Sequence, residues 1–218
     1  MTISDQHYDT LTDSMNLSFL RAGRVVLLTG GTARAQRAML LEFCCRAPTA
    51  SGAVFVTTGA DVEASKAACD RLLAAGVDPV GFVGALEGEG AQVDFPDGVH
   101  YRPTPPSPGV PDLGEGALSL VDGLAGGEGA PVIVGVDSLS DLLAAEDVQM
   151  VYRFVHILTT RLRNAGATAV LTLDESRHDD RDVRTLRRLF DHDVSLTAGP
   201  DGSLSASVEA LGGDGADG

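Results

Sequence analysis

Pro131-Val132-Ile133-Val134-Gly135-Val136-Asp137-Ser138 opens the stretch, running to Glu175, that decides the fold. The apolar run is short and rich in β-branched residues, the composition of a strand buried on both faces of a parallel sheet. It ends on a carboxylate, Asp137, at the edge where open α/β sheets place their ligands. Val148, Val151, Phe154, Val155, Leu158 and Leu162 then recur at helical spacing. Arg161 and Arg163 fall in the last turn, and Gly166 sits where the helix stops. Ala167 to Leu173 is a second apolar run, ending on Asp174-Glu175. Strand, helix and strand of these lengths make a βαβ unit, whose crossover is expected to be right-handed.

The same alternation extends in both directions. Upstream, Arg24 to Thr29 reads as a strand, and Gly30-Gly31-Thr32 as a turn into a helix that runs to about Cys45 with Met39, Leu40 and Phe43 as its apolar stripe. Ala53 to Thr57 is the next strand, and Asp61 caps a helix closed by Gly76. Val80 to Val83 and Val99 to Arg102 read as strands on either side of an acidic, glycine-rich loop over 84–98. Pro103 to Pro108 predicts a rigid loop, because four of its six residues lack an amide donor. Leu113, Ala117, Leu120, Val121 and Leu124 mark an amphipathic helix. Downstream come a polar loop over 176–182, a helix through Phe190, and a closing hairpin of Val194 to Leu196 and Leu204 to Val208. The expected fold class is therefore α/β: a mostly parallel central sheet with helices on both faces and a C-terminal antiparallel hairpin. The expected organisation is an N-terminal extension over 1–20, one domain over 21–210 and a disordered tail over 211–218.

Charge narrows the function classes. Asp plus Glu number 31 against 16 Lys plus Arg, a net charge of −15, and Lys66 is the sole lysine. Such a surface repels nucleic-acid backbones and anionic membranes, and salt relieves its self-repulsion. An acidic, lysine-poor chain of this kind is expected to be adapted to molar salt. The three cysteines, Cys44, Cys45 and Cys69, have no disulfide or zinc spacing and read as packed thiols. The N-terminal 16 residues carry acids and no lysine or arginine, so they do not read as a secretory signal, and a cytoplasmic protein is expected.

The strand–turn–helix at Thr29 to Ala38 occupies the place of a phosphate loop. A working loop reads G-x-x-x-x-G-K-[ST]: its amides cradle phosphates, its lysine reaches them and its hydroxyl holds magnesium. Here Gly30, Gly31 and Thr32 can present amides at a helix start, but the second glycine, the lysine and the hydroxyl are missing. Arg34 or Arg37 offers positive charge away from the lysine's position. Asp137 stands where a magnesium-orienting acid would, and equally where a residue capping the next turn would; Ser138 and Ser140 share that capping reading. Gly30, Gly31, Thr32, Asp137 and Ser138 are thus the candidate residues of a vestigial nucleotide site. No catalytic residue and no metal ligand is assigned, and ATP with magnesium is the cofactor such a site would take if it retained one. Arg177, Arg181, Arg184 and Arg188, with Arg187 beside them, fall at helical spacing among five aspartates over 177–193. That pattern reads first as a salt-bridged, solvated face, with nucleic-acid binding or an arginine finger as the functional alternative.

Pro131 to Leu143, Val151 to Asp174 and Leu186 to Val194 together resemble the KaiC branch of the RecA-like P-loop ATPases. More narrowly, they resemble a KaiC-like family of unknown function from halophilic archaea. Ser107 to Leu120 resembles that family's piece before the acid-bearing strand. The likeness covers about residues 20–210. It implies a RecA/KaiC-like sheet. The chain departs from KaiC at the G-K-[ST] ending, and Thr57-Thr58 stands where KaiC has paired catalytic glutamates. The expectation is a non-hydrolysing regulatory or scaffolding domain that binds a protein: itself or an intact KaiC-like ATPase. The alternative is an ATPase with a non-standard phosphate loop.

Overall fold

The computed structural model describes residues 5–59, 61–84, 95–105, 108–124, 131–200 and 203–211. Among these residues, eight strands form one sheet: β1 (Val25–Gly30), β2 (Gly52–Thr57), β3 (Val80–Gly84), β4 (Val99–Pro103), β5 (Val132–Asp137), β6 (Thr168–Thr172), β7 (His192–Ala198) and β8 (Leu204–Ala210). Their order is β4-β3-β2-β5-β6-β1-β7-β8. Every neighbouring pair is parallel except the closing β7–β8 hairpin. The expected α/β class with its antiparallel hairpin is what the chain adopts.

Among the described residues, seven α-helices cover the sheet: α1 (Asp5–Ser14), α2 (Ala33–Arg46), α3 (Val62–Ala74), α4 (Val110–Leu124), α5 (Leu139–Ala145), α6 (Val148–Asn164) and α7 (Asp180–Arg187). Alternate strand residues feed two cores, as the period of a doubly covered sheet requires. Val25 and Leu27 join α4, α6 and α7 on one face, while Val26 and Leu28 join α2 and α3 on the other. Near the N-terminus Tyr8, Phe19 and Leu20 are buried in the second core. Pro103 ends β4 at the sheet's outer edge, where a missing amide leaves no ladder bond broken. Cys44 and Cys69 are free and buried, and burial pushes the Cys69 thiol up to about 12. Glu42, also buried, is held by Arg46 and Arg71.

Three local expectations change. The sequence reading passed over α5: Ser138 caps it by accepting from the Asp141 amide, and Asp147 starts α6 afresh by accepting from the amides of Gln149 and Met150. Asp137 is not the cap of that turn; its carboxylate is engaged elsewhere. The arginine stripe is not one helical face. Arg177 lies in a separate 3-10 turn and bonds Asp141 at 3.1 Å, whereas Arg187 turns inward to Asp193 at 2.8 Å and Glu175 at 2.7 Å. The expected tail beyond residue 211, the middle of the acidic loop (85–94) and the tip of the hairpin (201–202) lie outside the described residues. Among the described residues, no helix is long and apolar enough to cross a membrane.

Candidate functional site

Sheet order decides where a ligand crevice belongs. From β2 the chain moves outward to β3, by way of α3 on one face; from β5 it moves the other way to β6, by way of α6 on the opposite face. The carboxyl ends of β2, β5, β6 and β1 therefore border the switch point. Asp137 ends β5 and Ser138 follows it, and Gly30 ends β1 with Gly31 and Thr32 after it, with β6 between the two strands. The two halves of the candidate site stand two strand spacings apart, about 10 Å.

At β1 the turn is short. β1 ends at Gly30 and α2 begins at Ala33, so only Gly31 and Thr32 separate strand from helix. Gly30 and Gly31 have φ of +69° and +64°, the left-handed region that favours glycine. Thr32 caps α2 by accepting from the Ala35 amide at 3.2 Å. Gln36 lies on the same helical face as Met39, Leu40 and Phe43, and it is buried with them. A buried amide needs partners, and its Nε2 donates to Gly30 O at 2.9 Å and Leu173 O at 3.0 Å, tying the turn to the end of β6.

At β5 the carboxylate is occupied. Arg37 reaches from α2 to Asp137, Nη1 to Oδ2 at 3.5 Å, with its guanidinium carbon 5.6 Å from the centre of the Phe55 ring. Thr172 Oγ1 donates to Asp137 Oδ1 at 3.4 Å. Burial pushes the Asp137 carboxyl above its ordinary value; Arg37 and the Thr172 hydroxyl pull it down, and Asp141 pushes it further up. Across the β2–β5 seam the Thr58 amide donates to Asp137 O at 2.9 Å, and the Thr58 hydroxyl to Asp141 Oδ2 at 3.0 Å. Across β5–β6 the Asp174 amide donates to Ser140 Oγ at 2.9 Å. Each seam of this edge thus carries a polar stitch supplied by the chain itself.

A protein-family model matches residues 23–196, from the residues before β1 to the middle of β7, including every candidate site residue. The chain belongs to DUF7504, a family of unknown function. No curated protein matches it. Among solved structures, this DUF7504 chain is similar to the uncharacterized protein PH0321 from Pyrococcus horikoshii, which was determined in complex with an unknown peptide. That match has a TM-score of 0.56 and 12% identity and covers 96% of this chain and 91% of that one. A second similar structure is PH0250 from Pyrococcus horikoshii OT3, with TM-score 0.49, 15% identity, and coverage of 89% and 88%. The first likeness is one of fold.

Sequence reasoning brought forward Arg37 as a charge without giving it a partner and named Thr58 only as standing where the resembled family has a glutamate, and it missed Gln36 and Thr172. Gln36 did leave a signal, a polar residue at i−3 and i−4 from Met39 and Leu40 on a buried stripe. Thr58 and Thr172 left none, since threonine at the end of a strand is ordinary there.

Proposed function

We propose that this chain is a RecA/KaiC-like domain that does not hydrolyse nucleotide and acts by binding a protein partner, in a regulatory or scaffolding role. The Arg37–Asp137 pair carries the reading. In a working P-loop enzyme the strand-end acid orients a magnesium ion that neutralises phosphate charge, and a loop lysine and hydroxyl complete the set. Here an arginine of the chain is already the acid's counter-charge. The two-residue turn offers neither lysine nor a free hydroxyl, because the Thr32 oxygen is engaged in capping α2. The residues present do not fit a magnesium nucleotide. Adaptation to molar salt, proposed from the net charge of −15, belongs to the same reading. PH0321, of similar fold and holding an unknown peptide, supports a protein-binding use of such a frame.

A second reading, nucleotide binding through the non-standard loop, rests on the exposure of Gly31, Thr32, Ala33 and Arg34 at the start of α2. Calorimetric titration with ATP and ADP in molar KCl with magnesium, alongside phosphate release, separates the two. The proposal expects no binding heat and no turnover. Micromolar binding lost in Arg34→Ala or Arg37→Ala, or turnover abolished by Asp137→Ala, overturns it.

A further inference from the structure

We infer that the α4–α6 face pairs with the same face of a second copy of this chain. The inference names a partner for the reading above and rests on its protein-binding half, not on the state of the nucleotide site. α4 leads from β4 to β5 and α6 from β5 to β6, all parallel strands, so both helices run back along the sheet and point the same way. A cavity of about 280 Å³ opens between their first halves, with Val110 and Leu118 on α4 facing Met150, Phe154 and Ile157 on α6. The helices meet at its floor: a Cβ on Gly114 would stand 2.9 Å from the Phe154 ring. The remaining apolar groups face outward. Met150 is 39% and Ile157 50% exposed, and with Val208 they are the exposed large hydrophobics among the described residues.

The walls carry opposite charge at matched levels. Glu115 and Arg153 both line the first cavity, while Asp122 and Arg161 both line a second that continues the groove towards the helix C-termini. α4 supplies both acids and α6 both bases. Among the described residues, none of the four has an ion pair or a side-chain hydrogen bond. A two-fold axis laid along the groove sets α4 of each copy over α6 of the other at the same height. Glu115 of each copy then meets Arg153 of the other, and Asp122 meets Arg161, four ion pairs around an apolar seam. An axis across the groove would stack acid on acid, so the charge pattern selects one orientation. α6 has 17 residues. At about 25 Å long and two helices wide, the face covers about 500 Å² per copy, or about 1,000 Å² in all, at the lower edge of specific interfaces. An interface of that size suits a weak, reversible dimer.

Sedimentation velocity of the full chain in about 1 M KCl, where the long-range repulsion of −15 against −15 is screened, tests it. Wild type is expected to move from monomer to dimer as its concentration rises through tens of micromolar. Arg153→Glu with Arg161→Glu, and separately Glu115→Arg with Asp122→Arg, each weaken self-association at least about tenfold. Mixing the two variants restores a dimer, because the acidic face of one now meets the basic face of the other. Ile157→Ser, at a half-exposed position that leaves the core intact, weakens it as well. A wild type that stays monomeric at about 100 μM, above that concentration range, overturns the inference. So does a dimer that survives the charge reversals, or a mixture that does not associate. None of these outcomes bears on nucleotide titration, so the two readings fail separately.

Discussion

At the carboxyl edge of the sheet most of the buried polar side chains are engaged with one another, although Arg37 Nη2 is buried without a hydrogen-bond partner; on the α4–α6 face the charged groups are exposed and unpaired among the described residues. Arg37, Gln36, Thr58 and Thr172 each bond across a seam between elements. Glu115, Asp122, Arg153 and Arg161 lie exposed beside an apolar groove, without partners among the described residues. Burial explains the difference. A polar side chain taken out of water must find a partner inside the protein, whereas an exposed one keeps its hydration until a ligand replaces it. Recognition capacity is therefore read from groups still uncommitted, even where the architecture draws attention to another edge.

Gly30→Ala is the strongest attack on that contrast, because it asks how tightly the edge is closed. A Cβ at Gly30 would stand 2.3 Å from Leu196 O, at φ +69°. The left-handed backbone alone costs about 1–2 kcal/mol, and no rotamer change relieves a clash with a backbone oxygen. A loss of about 4 kcal/mol in chemical denaturation is expected. At Gly31 the nearest atom is the Leu196 Cβ at 3.3 Å, and Gly31→Ala is expected to lose only the conformational term of about 1–2 kcal/mol. Equal losses at the two glycines would mean that the turn yields, and that the edge is looser than its hydrogen bonds indicate.

The same contrast separates what the sequence disclosed from what it withheld. Strands buried on both faces declare themselves, because each position of Val132 to Val136 must be apolar or small; the βαβ order and the hairpin follow from their spacing. What stayed hidden was α5 itself: the helical spacing reads from Val148, where α6 begins, and Leu139, Leu142 and Leu143 before it span less than two turns. The Ser138 side chain starts it by accepting from the Asp141 amide, and Asp147, turned back onto two amides, separates it from α6. The candidate residues Gly30, Gly31, Thr32, Asp137 and Ser138, read from strand ends, all lie at the carboxyl edge of the sheet. Their partners join across sheet neighbours distant in sequence, as Arg37 does to Asp137, and no local pattern encodes such a pair. The α4–α6 groove was half visible. Met150 and Ile157 do not belong to the Val151, Val155, Leu158 stripe that faces the sheet, so they mark a second apolar direction on the same helix.

Removing the arginine sharpens the comparison from the other side. Arg37→Met leaves the Asp137 carboxylate without its counter-charge. Both side chains retain some solvent contact, so the cost is discounted from that of a fully buried pair to about 1–2 kcal/mol near neutral pH. The sign of its pH dependence follows from burial, which already holds the Asp137 carboxyl above its ordinary value. For an acid raised on folding, the favourable contribution is complete when the group is protonated, below the unfolded value, and is lost as pH climbs through the folded one. Loss of Arg37 raises the folded value further, so the deficit of Arg37→Met is greatest at neutral pH and shrinks as pH falls towards about 4. Adding Asp137→Asn removes the charge and is expected to recover most of the loss at pH 7. Thermal melts of the wild type and the two variants across that range measure it; a deficit independent of pH would mean that Arg37 acts through its packing on Phe55 and not through its charge.

The smallest effect probes the open face. Ile157 is 50% exposed, so Ile157→Ser removes little buried area and is expected to change the stability of the isolated fold by about 0.5 kcal/mol or less. Its effect should instead depend on concentration. A second copy that binds only the folded chain stabilises it by mass action, by about 1 kcal/mol when the free chain is several times above the dissociation constant. The wild-type melting temperature therefore rises with protein concentration, and that of Ile157→Ser does not. The two curves converge on dilution, where each chain is alone. A constant offset at all concentrations would instead make Ile157 an ordinary contributor to its own domain, and would remove the distinction between a face whose groups are available and an edge whose buried groups are for the most part already bonded.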